Sequence, residues 1–375
     1  MKAAVANGIE EIDQYLHVQD NWPQPKLATA QDGKSGKLVS KIKDRHLIVK
    51  VLACALAPGD CRLFKGKTDM AQLPKHGRPY VIGSDICGII IEVEAPKTKT
   101  QEGNDTKDYF QVGDRIIARF DEPQPNGMCA EYACVKAEFC EKCPASISAI
   151  HACTLPASAA AAKLVAEEFV SVGDRVLLLG ASGGVGTFLT QYIKLQGASF
   201  LAATTTQAEL AKSLGVDRVI DYTTQQWWEL ESEFQDCPFH VVIDLVDGAN
   251  WTKGARSGTK VIQPKTQYVQ LVTGVGTEID MTSTWKIMKF MYQMLNRMMV
   301  SKLYPSCPKW TAPQGLDLQP GHLKNVIRDV EEKKIRVILD PASPFAFDSK
   351  GVRSAMKLQR STHAHGKVVV EIAKE

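Results

Sequence analysis

The sequence predicts an α/β protein, with a β-rich first part followed by a doubly wound parallel sheet. Three observations carry the prediction. Residues 47–53, 88–93, 115–118 and 131–135 are short β-branched or alternating runs set between turn residues. From residue 175 onward, strands and helices alternate at the spacing of βαβ units. Between the first of those strands and its helix stands Gly180-Ala181-Ser182-Gly183-Gly184-Val185-Gly186.

Bulk properties narrow the classes. A length of 375 residues leaves room for two or three domains of about 150 residues each. An apolar fraction of 44% against 23% charged excludes collagen, coiled coils and a mainly disordered chain. The charge excess is only +3, from 45 Lys and Arg against 42 Asp and Glu, so no nucleic-acid partner is expected. No apolar run reaches the ~18 residues that cross a bilayer, and no membrane partner is expected. Residues 1–7 are too short for a signal-peptide core and soon meet Glu10, Glu11 and Asp13, while Ala373-Lys374-Glu375 carries no lipidation motif. Ten cysteines in such a chain read as reduced thiols, and a cytoplasmic location is expected.

Each element has a local reason. Asp32-Gly33 and Ser35-Gly36 supply turns around a strand at 37–39, and the polar stretch 96–108 reads as an exposed loop. No helix longer than two turns is expected before Ser146. Residues 157–170 are alanine-rich and helical, broken by Gly173-Asp174. After the buried strand 175–179, Val185, Phe188, Leu189, Tyr192 and Ile193 fall at i, i+3, i+4, i+7 and i+8 of a helix that Gly197 closes. Strands at 200–203, 219–220, 240–246 and 268–272 and a helix at 208–214 continue the alternation. Over 285–300, Ile287, Phe290, Met291, Met294, Leu295 and Met298 share one helical face, which predicts a core-facing helix with methionine filling gaps. A helix over 321–333 and a strand over 367–372 complete the pattern.

The glycine cluster has the spacing G-x-x-G-x-x-G. Glycine permits a tight turn and lets backbone N–H groups approach a pyrophosphate at a helix N-terminus, so Gly180, Gly183 and Gly186 predict a dinucleotide site. A triphosphate-cleaving loop needs Gly-Lys-Ser/Thr at the helix start, but Gly186 is followed by Thr187 and Phe188. About twenty residues on, where NAD enzymes place a ribose-binding carboxylate, the chain reads Thr204-Thr205-Thr206-Gln207. Hydroxyls tolerate a 2′-phosphate that a carboxylate repels, which favours NADP(H). The nearest basic residues are Lys212 and Arg218.

Ala57-Pro58-Gly59-Asp60, Gly83-Ser84-Asp85-Ile86-Cys87-Gly88, Val112-Gly113-Asp114-Arg115, Ala130-Glu131-Tyr132 and Leu155-Pro156-Ala157 precede that loop. The run from Leu214-Gly215-Val216-Asp217 to Asp221-Tyr222 follows it, and His365-Gly366-Lys367-Val368-Val369 comes near the end. In this order and spacing the chain resembles the medium-chain dehydrogenase/reductase superfamily over nearly its whole length, in particular the zinc-free quinone-oxidoreductase, or zeta-crystallin-like, branch. The resemblance implies a β-rich GroES-like catalytic domain over 1–150 and 306–375, a doubly wound Rossmann NADP(H)-binding domain over 151–305, and a homodimer joined through the cofactor domain. It also implies that Gly183, Gly184 and Val185, with Gly180 and Ser182 of the same turn, hold the pyrophosphate. Thr204, Thr205 and Tyr222 would surround the adenosine 2′-phosphate. Val246, Thr273 and Gly274 would line the nicotinamide side, and Gly366-Lys367 would close the cleft. The chain departs from the family at Ala57, where asparagine is common, within Ala159–Ala162, which lacks a threonine, and at Gln207, where a lysine is frequent.

Other chemistries lack the residues they need. The positions matching the ligands of zinc-dependent relatives hold Ala57 and Ser84, neither of which binds zinc. Cys129, Cys134, Cys140 and Cys143 lack the paired C-x2-C spacing of a structural zinc site and read as separate thiols. Tyr132 and Lys136 form a Y-x-x-x-K on the wrong side of the glycine loop for a short-chain dehydrogenase. What remains is hydride transfer to a conjugated acceptor, a quinone or an α,β-unsaturated carbonyl, which needs orientation more than a metal. Asp60 and Tyr80 are the catalytic candidates, as polar groups of the pocket; a turn-stabilising carboxylate and a packed ring are the alternatives. Two further readings stay open. One is an enoyl-thioester reductase with Lys65, Lys67 and Lys75 at the pocket mouth; the other is an NADPH-binding sensor or scaffold without turnover.

Overall fold

Arg175–Leu179 is apolar at four successive positions, which suits a strand covered by helices on both faces. In the computed structural model, which describes residues 1–27, 45–66, 79–94, 109–119, 127–271, 283–313 and 321–374, it is the central strand of a six-stranded parallel sheet. Phe200–Thr204 and Arg218–Ile220 lie on one side of it; Phe239–Asp244, Ile262–Gln270 and Lys309–Thr311 lie on the other. Strand order thus reverses at Arg175–Leu179, and a crevice opens beyond the carboxyl ends of that strand and Phe239–Asp244. Helix Gly186–Leu195 buries Phe188, Leu189, Tyr192 and Ile193 against the sheet. Each such fully buried side chain contributes roughly 1.5–3 kcal/mol.

The β-rich part is organised around one long strand, His46–Leu56. Asp85–Val93 pairs along one edge of it, and Arg115–Arg119 and Cys140–Lys142 extend that side. Its other edge is shared between Tyr132–Lys136, which pairs with residues 46–50, and Val368–Glu371, which pairs with residues 53–56. A separate small sheet orders Leu16–Gln19, Ala3–Ala6 and Tyr80–Val81. One apolar core runs across both parts, joining Leu52, Cys87 and Ile117 to Val176, Leu178 and Phe188.

Several expectations move. Lys309–Thr311 joins the parallel sheet, although the expected boundary at 305/306 put it in the returning β-rich segment. Helix His322–Glu331 packs against Ala160–Phe169 and the π-turn Leu155–Ala159. The fifth parallel strand begins at Ile262, earlier than predicted, because Pro264 and Lys265 mask its β pattern. Helix Ser349–Ser361, capped by Asp348, was not read from the sequence. The methionine-rich helix is present as Thr284–Leu303, but its predicted orientation is wrong: Ile287, Met291, Leu295 and Met298 face solvent, and of the predicted face only Phe290 and Met294 turn partly inward. The predicted strand at 37–39 and its turns, the loop 96–108, Lys67, Lys75, Thr273 and Gly274 lie outside the described residues.

Candidate active site

The glycine loop is built by close approach. Gly180 has φ +93°, a conformation that glycine adopts without strain. A Cβ on Gly186 would lie 2.2 Å from the Gly180 carbonyl oxygen, so only hydrogen lets the helix start this near the strand. A Cβ on Gly183 would find nothing nearer than 3.9 Å, which leaves that backbone open to a ligand. The loop's floor is set by Thr204: its hydroxyl accepts from Gly180 N–H at 3.0 Å and its carbonyl accepts from Ala181 N–H at 3.1 Å. Helix Gly186–Leu195 follows with its N-terminus at the opening, where a pyrophosphate fits, and Thr187 N–H donates back to the Gly183 carbonyl at 3.0 Å.

The 2′-phosphate group of residues is only partly brought together. Thr204 and Thr205 are buried, and the Thr205 hydroxyl accepts from Gln207 N–H at 2.9 Å. Both threonines therefore shape the strand end, while Thr206 and Tyr222 are the exposed side chains there. Arg218 is held by Glu233 at 2.7 Å and Lys212 lies 3.5 Å from Glu209. No carboxylate occupies the strand end itself, from Thr204 to Gln207.

Val246 stands at the crevice mouth, 45% exposed, with its Cγ2 against Gly180. Asp244, which the sequence reading missed, fixes it there. This buried carboxylate accepts from Val246 N–H and Asp247 N–H, both at 2.9 Å, and from the Tyr268 hydroxyl. Asp247 in turn pairs with Arg297 at 3.0 Å, and Gln270 accepts from Arg297 and from the Trp310 indole. A polar side chain closing a strand is a weak sequence signal, since the same pattern marks any strand end.

The second wall comes from the β-rich part. Gly366 N–H donates to the Ser182 carbonyl at 2.8 Å, which seats the C-terminal segment on the loop. Gly366 has φ +105°, and a Cβ there would strike the Ile338 carbonyl at 2.6 Å. The Lys367 side chain passes Gly184 and buries its nitrogen, donating to Ser158 Oγ at 2.9 Å and to the Leu56 carbonyl at 3.4 Å. Asp85 lies 4.0 Å from it, its oxygens buried without a hydrogen bond of normal length. Lys367 is thus a buried interdomain link in the cleft wall.

Burial pushes Asp85 up from 3.8 to about 7, and the neighbouring Lys367 charge pulls it down only in part. Between those values the folded protein holds a proton that the unfolded chain has released, so stability falls as pH rises from about 4 to about 7. Asp85→Asn has nothing to titrate there. Its stability relative to the wild type is expected to rise by on the order of 3 kcal/mol between pH 4 and pH 8, measured by urea unfolding. Parallel curves for the two proteins would refute the assignment.

Of the two predicted pocket groups, Asp60 holds the loop that faces the cleft. Its carboxylate accepts from Ala57 N–H at 2.8 Å, Gly83 N–H at 2.9 Å and Ser84 Oγ at 3.0 Å, which ties the two zinc-ligand positions of the wider family to each other. That is the turn-stabilising role. Tyr80 is a buried ring in the β-rich core. Cys129, Cys134, Cys140 and Cys143 do not converge, and among the described residues no three His, Cys, Asp or Glu side chains are placed to share a metal ion.

A GroES-like β part, a doubly wound sheet and a glycine loop closed from the C-terminal segment define a two-domain dinucleotide oxidoreductase architecture. Residues 43–145 match the family described as alcohol dehydrogenase GroES-like domain, and residues 214–370 match zinc-binding dehydrogenase. The chain is 30% identical over 342 residues to an NADPH-dependent alkenal/one oxidoreductase of Arabidopsis thaliana, covering 90% of this chain and 75% of that protein. It is also 30% identical over 342 residues to a 2-methylene-furan-3-one reductase of Solanum lycopersicum, at 90% and 74% coverage. Among solved structures, the quinone oxidoreductase from Coxiella burnetii superposes with a TM-score of 0.73 at 22% identity, covering 99% of each chain. The chain belongs to the medium-chain dehydrogenase/reductase superfamily.

Proposed function

We propose that the chain is an NADPH-dependent, zinc-independent reductase that delivers hydride to a quinone or an α,β-unsaturated ketone or aldehyde. The observation that carries this reading is the loop at 180–186, open at Gly183 and closed by Gly366-Lys367. The printed activities of the two 30%-identical relatives support the acceptor class. Support for zinc independence comes from Ala57 and Ser84, whose hydrogen bonds to Asp60 occupy the positions where zinc-dependent relatives hold ligands. All ten cysteines are free thiols, which accords with a reducing, cytoplasmic setting.

The nicotinamide supplies hydride when bound. The chain's residues do the rest by position: loop amides and the helix N-terminus bind the diphosphate, and Val246 and the Asp244 turn form the wall beside Gly180. Hydride adds to an electron-poor carbon, the negative charge moves by conjugation to the carbonyl oxygen, and solvent returns one proton. The strand end without a carboxylate favours the 2′-phosphorylated nucleotide.

Titration of nucleotide fluorescence, followed by turnover on quinones, enones and enoyl-CoA esters, tests the reading. NADPH is expected to bind at least about ten-fold tighter than NADH, and dialysis against a chelator to leave turnover unchanged. Equal affinity for both nucleotides overturns the 2′-phosphate argument. Turnover confined to enoyl thioesters selects the thioester reductase instead, and binding without turnover on any acceptor selects a sensor.

A further inference from the structure

Arg297 is the cation of helix Thr284–Leu303 that turns inward; Lys286, Lys289 and Lys302 are exposed. Its side chain is 12% exposed, and one guanidinium nitrogen lies 3.0 Å from Oδ1 of the buried Asp247. The other terminal nitrogen donates to Gln270 Oε1. Arg297 thus joins two segments of chain, the turn after strand Phe239–Asp244 and the last residue of strand Ile262–Gln270. A planar guanidinium suits that task, because its fork of donors reaches two acceptors at a fixed angle and an ammonium does not.

These two segments serve one half of the dinucleotide. In a doubly wound sheet the cofactor lies across the reversal of strand order, with its adenosine half toward the second strand, here Phe200–Thr204. The nicotinamide half then falls on the opposite side, over the ends of Phe239–Asp244 and Ile262–Gln270. Asp247 has φ +65°, a left-handed conformation that a residue with a side chain keeps only where its surroundings hold it. Three groups do so: Asp244 accepts from its N–H at 2.9 Å, Asn250 donates to its carbonyl at 2.9 Å, and Arg297 meets its carboxylate. Gln270 is held alike, taking the Trp310 indole N–H at 2.8 Å besides Arg297. A buried ion pair adds little net stability, since the cost of desolvating both charges offsets their attraction. What it supplies is a single placement of the turn, which carries Val246 against Gly180.

We propose that Arg297 is a positioning residue for hydride transfer: its grip on Asp247 and Gln270 holds the wall beside the nicotinamide in one place. It acts from behind that wall, through Asp247 and Val246. The proposal rests on the reading of the chain as an NADPH-dependent reductase.

Arg297→Met keeps the length of the side chain and removes its charge and both donors; Arg297→Lys keeps the charge without the two-point grip. Each full-length variant is assayed for affinity toward adenosine 2′,5′-bisphosphate, which has the 2′-phosphate but no nicotinamide, and toward NADPH. Hydride transfer to an enone is followed from NADPH deuterated at one or the other C4 position. The bisphosphate affinity is expected to stay within about two-fold of the wild type in both variants, which also shows a folded cofactor domain. In Arg297→Met, NADPH affinity and kcat are each expected to fall by roughly ten-fold, with part of the C4 stereoselectivity lost as the nicotinamide gains freedom to flip. In Arg297→Lys the losses are expected to be about three-fold. An unchanged ratio of NADPH to bisphosphate affinity with unchanged transfer overturns the proposal. So does a fall of both affinities by the same factor, which marks a purely structural role. If Arg297→Met does not fold, the same outcomes in Arg297→Lys decide. Absence of NADPH binding or turnover in the wild type overturns the reductase reading and this proposal with it, whereas an active wild type matched by Arg297→Met overturns the proposal alone.

Discussion

Gly186→Ala is expected to lose about 3 kcal/mol of stability and to weaken NADPH binding by at least about 100-fold. The reason is local: the new methyl would sit 2.2 Å from the Gly180 carbonyl and 2.8 Å from that of Ala181. Both are backbone atoms, so the helix must lift from the strand, carrying the amides that face the pyrophosphate with it. Gly183→Ala separates folding from binding, because its methyl has no neighbour within 3.8 Å apart from adjoining residues and points into open space. That variant is expected to keep its Tm and still lose nucleotide affinity. Thermal unfolding together with nucleotide fluorescence checks both. An alanine at 186 with unchanged Tm would show that the close approach is relaxed in solution.

Lys367→Met is expected to cost about 3 kcal/mol at pH 8 and less at pH 5. Methionine keeps the length of the chain passing Gly184 but removes the donor to Ser158 and Leu56. At pH 8 it also takes from the Asp85 carboxylate, charged above about 7, the larger of its two favourable cationic neighbours, leaving Arg119 alone. At pH 5 Asp85 is protonated and less is lost. Adding Asp85→Asn to Lys367→Met is expected to recover part of the loss at pH 8, a coupling that a double-mutant cycle measures. Because the lysine joins the two parts across the site, kcat is expected to fall as well. If the single and double variants show the same pH dependence, the two groups are not coupled.

The parts of the fold set by strong local signals were legible in the sequence. The glycine loop, the helix closed by Gly197 and the strands around them stand where periodicity put them, because a strand buried on both faces has few ways to be written. Side-chain direction was not legible. Thr204 and Thr205 have the residue type of phosphate ligands, yet backbone N–H groups inside the strand end claim their hydroxyls. Lys367 has the look of a cleft cation, yet its nitrogen is buried among groups more than 200 residues away in the chain, which no local pattern encodes. Helix Ser349–Ser361 escaped because only Val352, Ala355 and Met356 are buried on an otherwise polar segment. The outward face of Thr284–Leu303 fails for the opposite reason: periodicity identifies an apolar stripe but not which way it turns.

The last strand, Val368–Glu371, pairs with residues 53–56 on one edge and with Phe345–Ala346 on the other, and so lies inside a β part whose remaining strands come from the first 142 residues. During synthesis the parallel sheet, continuous from 175 to 311, can assemble as it leaves the ribosome. The β part must wait, with one edge of its longest strand half covered, until residues 368–371 have been made. A premature stop anywhere before residue 368 therefore leaves a nascent chain with an open, apolar strand edge, the kind of surface that chaperones hold and aggregation seeks.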